Sequence, residues 1–81
     1  MFGKSRAIVV VDQRTYRNAC RRVDELEADD KLVAAKFGIA AICQWLRGEI
    51  NTGRTSRRAE RAADLEQWQL RAAQINRLIG L

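Results

Sequence analysis

The chain has 81 residues, enough for one small domain and too few to bury a large core, so dense helix packing or self-association must make up the stability. It has no histidine and only two cysteines, Cys20 and Cys43, which leaves no four-ligand zinc site and no Cys/His or Ser/His/Asp catalytic set. The net charge of +5 comes from twelve arginines and three lysines against ten carboxylates, a bias that suits phosphate recognition and that a GC-rich genome also produces.

Residues 1–11 read as a basic, then apolar, arm. Ala7-Ile8-Val9-Val10-Val11 is rich in β-branched side chains, which suit an extended strand. A lone strand has nothing to pair with. Three readings stay open: pairing with its own copy across a two-fold axis, pairing with a partner, or forming the first turn of a helix. The run is too short for a signal-peptide core or a membrane span, so a cytoplasmic location is expected, with no membrane partner and with both thiols free.

A helix is expected over residues 12–29. Asp12 is a good N-cap, and Val11 and Tyr16 occupy hydrophobic-staple positions. Tyr16, Ala19, Cys20, Val23 and Leu26 form its apolar stripe, and Arg14, Arg17 and Arg21 project from the other side. Residues 12–47 read either as two helices or as one long rod, and the acidic run Asp24 to Asp30 favours a break or kink near Asp29–Asp30. A second helix over 30–47 is apolar nearly all round and is expected to be the central element, with Gly38 permitting close approach of a neighbour. Gly48 is read as its stop, and 48–55 as a loop with Gly53 in a turn. Thr55 or Ser56 is expected to cap a third helix, 56–79, whose stripe Leu65, Trp68, Ala72, Ile75 and Ile79 has the 3-4 spacing of a coiled-coil seam. The fold class expected is therefore all-α. It is a helical hairpin or three-helix bundle in one domain of residues 1–81, with a short apolar arm or lone strand, and it is expected to be dimeric.

No residue pattern points to catalysis: the carboxylates cluster in the acidic run or alternate with arginine, as on solvated helix faces. No cofactor, metal or small-molecule substrate is expected. The most specific pattern is Arg54, Arg57, Arg58 and Arg61, spaced to share one face at a helix N-terminus, where backbone amides and the helix dipole favour anions. Glu60, Asp64 and the acidic run offer the competing outcome, internal neutralisation. With Arg14, Arg17 and Arg21, these residues are the candidate anion or nucleic-acid contacts. Ile8, Val10, Trp45, Leu65, Trp68, Ile75 and Ile79 are the candidate protein-interface residues, although both tryptophans also fall on core stripes. The function expected is a non-enzymatic protein-binding accessory module (inhibitor, adaptor or assembly factor) of the kind phages and plasmids encode, partnered by itself and another protein. A nucleic-acid-binding regulator is the alternative, and a structural subunit of a larger assembly is a third reading.

Overall fold

A computed structural model describes residues 8–53 and 56–80. It contains three α-helices, α1 (Gln13–Ala28), α2 (Leu32–Thr52) and α3 (Arg58–Leu78), and no strand among the described residues.

Helix α1 starts where its sequence signals. The Asp12 carboxylate accepts from the Thr15 amide at 2.9 Å, and the Thr15 hydroxyl oxygen accepts from the Asp12 amide at 3.0 Å, a reciprocal capping box. These bonds hold the Asp12 carboxyl below its ordinary range. The expected staple is not formed: Tyr16 turns into the core, whereas Val11 is 66% exposed. At the other end the Asp30 amide reaches the Glu27 carbonyl and the Lys31 amide reaches the Leu26 carbonyl, with Asp30 left-handed at φ 59°. This is a Schellman arrangement, and it makes the break that the acidic run suggested.

Helix α2 runs four residues past Gly48 and ends at Thr52, with Gly53 left-handed at φ 67° as its C-cap. The expected stop at Gly48 is thus corrected. A glycine inside a helix costs only about 1 kcal/mol relative to alanine, and the added turn half-buries Glu49 and Ile50. Helix α3 begins at Arg58, with Arg57 at the N-cap and no side-chain cap bond. Ser56 is therefore not the cap, and Thr55 lies outside the described residues.

The helices run up, down and up. Gln13 meets Arg61, Tyr16 meets Asp64, and Asp24 meets Arg71, so α1 and α3 are parallel. Both pack on α2, whose Ala35, Ile39, Ile42 and Leu46 are almost wholly enclosed. The seam of α3 faces this core from within the same molecule: Trp68 and Ile75 are buried, and Leu65, Ala72 and Ile79 pack against them. Residues 8–11 lie over α1 and α2. An added Cβ at Gly38 would sit 2.6 Å from Ile8 Cδ1 and 2.8 Å from Val23 Cγ2, so the missing side chain is what admits both.

Candidate interaction surfaces

The arginine spacing that looked like one helical face is divided by the structure. Arg54 lies outside the described residues. Arg57 is the N-cap of α3 and pairs with Glu60 at 3.8 Å. Arg58 is exposed. Arg61 turns inward and is only 7% exposed. Its guanidinium lies 5.5 Å from the Tyr16 ring centre and 4.9 Å from that of Trp45, and it donates to the Gln13 side-chain oxygen. Its Nε is buried with no partner, and it forms no ion pair among the described residues. Cation–π contact and one hydrogen bond replace the missing carboxylate.

The aromatic cluster that holds Arg61 is polar at one corner. Tyr16 stacks on Trp45 with ring centres 5.1 Å apart. Its hydroxyl donates to Asp64 Oδ2 at 3.1 Å and receives the Trp68 indole N–H at 3.4 Å. Burial pushes the Tyr16 hydroxyl well above its ordinary range, and the nearby acidic groups push the same way. Burial likewise raises Cys20 and Cys43, both free thiols. Arg71, which no sequence motif marks, ties α3 to α1. Its Nη2 meets Asp24 at 2.9 Å and Glu27 at 2.5 Å, while its Cζ lies 4.4 Å from the Trp68 ring centre. The one available signal was its place three residues after Trp68, on the adjoining turn.

Arg14, Arg17 and Arg21 are exposed on α1, with Arg21 held to the Asn18 side chain at 3.0 Å. Because Gln13 touches Arg61, the starts of α1 and α3 lie at the same end of the molecule. The carboxylates Glu60 and Asp64 are at that end as well.

The candidate interface residues are placed largely inside. Trp68 and Ile75 are buried, and Ile8, Val10, Trp45, Leu65 and Ile79 are half-buried against the core. The large apolar side chains left to solvent are others: Val9 62%, Val11 66%, Val33 55%, Phe37 68%, Leu70 54% and Leu78 72% exposed. Val33 and Phe37 are four residues apart on α2, and Ala41, the next position in that row, lines a groove of about 540 Å3 beside residues 8–11. Val9 and Val11 line this groove, and Val33 and Phe37 lie on the row of α2 that leads into it. A second groove of about 350 Å3 lies between α2 and α3, with Lys36, Arg47, Cys43 and Asn76 among its walls. No group of three metal-ligating side chains occurs among the described residues, and no helix there is long and apolar enough to cross a membrane. Comparison with known proteins finds no matching family model, no matching curated protein and no matching solved structure.

Proposed function

We propose that the chain is a non-enzymatic protein-binding accessory module that acts through the apolar surface formed by Val9, Val11, Val33 and Phe37. The observation that carries this reading is the exposure of those four side chains, each more than half open to solvent, two on the arm that lines the groove and two on the row of α2 that leads into it. Scattered exposed apolar side chains are ordinary, but several of them lining and leading into an open groove mark a contact surface. The partner contributes an apolar surface of its own, and the module works by occupying it, as an inhibitor, adaptor or assembly factor does.

The test is affinity capture from the host lysate, with and without nuclease, using the wild-type chain and a Val33→Thr/Phe37→Gln variant. A discrete partner that survives nuclease and is lost with the variant supports the reading. Recovery that is equal for both chains overturns it. The alternative, a nucleic-acid regulator, keeps one specific observation in its favour, the exposed row Arg14, Arg17 and Arg21. Three phosphate contacts per copy give a log–log salt slope of about −2.7, so binding weakens about forty-fold between roughly 50 and 200 mM salt. Nuclease-sensitive recovery with that salt dependence would favour the alternative.

A further inference from the structure

We propose that the groove between α2 and α3 seats an acidic amphipathic helix of the partner, whose carboxylates meet Lys36 and Arg47 while its apolar side lies on Ala40 and Phe37. The proposal rests on the reading that the open side of α2 is the contact surface, and it names the chemistry of what lands there.

The groove holds about 350 Å3. It is continuous with the exposed apolar row, because Ala40, which lines it, follows Phe37 by three residues and Val33 by seven on the same helix. Ala72 and Ala73 line it from α3. The distance between packed helices is set by the side chains at the contact, so alanines on both walls admit a third helix closely. An extended segment does not fit. The backbone groups of α2 and α3 are spent within the helices, so a strand laid between them would leave its own N–H and C=O groups unpaired. A helix satisfies its own backbone and offers one face to the groove.

Charge selects the kind of helix. From Leu32 to Gly48, α2 has two charged residues, Lys36 and Arg47, and both line this groove. They are eleven residues apart, about 16 Å along the helix and within roughly 20° of each other around it. Neither makes an ion pair among the described residues. The α3 wall adds the uncharged Gln69 and Asn76. Glu66, a turn before Gln69, is exposed and pairs with neither cation. Among the described residues the lining thus has a free cation toward each end and no carboxylate. A helix with carboxylates ten or eleven residues apart, and apolar residues between them, matches that pattern at about 1.5 Å per residue. A nucleic acid does not: it carries a charge every ~3.4 Å along each strand, and it would leave the apolar floor uncovered. A second copy does not either, since no helix of this chain carries two carboxylates at that spacing.

The experiment uses the full chain and a labelled synthetic helix of roughly 18 residues, built on alanine and leucine, with two glutamates about eleven residues apart. A copy with lysines in place of the glutamates is the control, and fluorescence anisotropy reads both. The wild type is expected to bind the glutamate peptide at least about ten-fold more tightly than the lysine peptide. Lys36→Glu/Arg47→Glu is expected to reverse that preference with an unchanged helical spectrum, because neither cation is tied into the fold. A preference of the same sign in both chains would place the acidic peptide elsewhere and overturn the proposal. So would no binding of either peptide at roughly millimolar concentration. Self-association that Lys36→Glu/Arg47→Glu abolishes would assign the groove to a second copy and overturn it as well. Lysate capture that is lost with Val33→Thr/Phe37→Gln but untouched by Lys36→Glu/Arg47→Glu would remove the acidic helix and leave the proposed function standing. A reversed peptide preference, with capture equal for the wild type and Val33→Thr/Phe37→Gln, would do the reverse.

Discussion

At the scale of single residues, Arg61 shows how the core is balanced. Its charge is enclosed by two aromatic rings and one amide oxygen, with a buried Nε unpartnered. A buried cation held this way adds little net stability over an apolar side chain of similar volume. Arg61→Met is therefore expected to unfold within about 1 kcal/mol of the wild type, whereas Arg61→Ala, which empties the space between the rings, is expected to cost about 2–3 kcal/mol. Urea midpoints of the two variants decide the matter, and a large loss in the methionine variant would show that the guanidinium contacts are worth more. By spacing alone Arg61 belongs on a surface face with Arg54, Arg57 and Arg58. What the spacing did not reveal is that Arg57 is the cap, so the helical face begins at Arg58, and that α1 brings Tyr16 and Gln13 alongside. Cross-helix neighbours leave no trace in local periodicity.

Tyr16, the only tyrosine, gives a pH signature. In the unfolded chain its hydroxyl ionises near its ordinary pKa of 10.0, whereas burial keeps the folded hydroxyl protonated above that. The contribution is therefore fully present below pH 10 and is lost as the pH climbs through the folded value. Cys20 and Cys43, also raised by burial, act in the same direction from their ordinary value of 9.0 upward. Stability is expected to be level on their account near neutral pH and to decline above pH 9–10. Tyrosinate absorbance should appear together with unfolding. Tyrosinate formed in a chain that keeps its full helical signal would contradict the burial of Tyr16.

At the scale of elements, the two chain breaks differ in how readably they are encoded. The first break was legible only in part: the acidic run ending at Asp29 and Asp30 favours it, but the apolar stripes on its two sides differ by only about a quarter turn, which one long helix would also tolerate. Its cost was not legible: Asp30 adopts a left-handed conformation that an L-residue tolerates poorly. Asp30→Gly is expected to stabilise the chain by roughly 1 kcal/mol, read as a raised urea midpoint. The second break was misplaced by five residues, because Gly48 and Gly53 both carry the stop signal and only the packing of the extra turn selects Gly53. Gly38 has a different role. Gly38→Ala gains helix propensity of about 1 kcal/mol, yet its new methyl group meets Ile8, which can swing away, and Val23, which is held on α1. The expected outcome is a small net loss of stability together with displacement of Ile8. Urea midpoints of the two chains measure it, and a midpoint at or above the wild type would show that Ile8 and Val23 give way without cost.

At the scale of the whole molecule, the all-helical class and the central place of α2 were legible, because an element apolar on nearly every side can only lie between others. Which part of that apolar surface stays open was not legible, since it depends on where α1, α3 and residues 8–11 come to rest. They cover the side of α2 bearing Ala35, Ile39, Ile42 and Leu46 and leave Val33 and Phe37 out. Leu70 and Leu78 on α3 are equally exposed, but they are eight residues apart, about 12 Å along the helix, with Arg77 between them in sequence. They form no patch. Substituting exposed side chains changes stability little, so Val33→Thr/Phe37→Gln and Leu70→Gln/Leu78→Gln are both expected to melt within about 1 kcal/mol of the wild type. Only the first pair should abolish partner capture. Loss of capture by the α3 pair, with the α2 pair intact, would move the working surface to the opposite helix and leave the open side of α2 without a role.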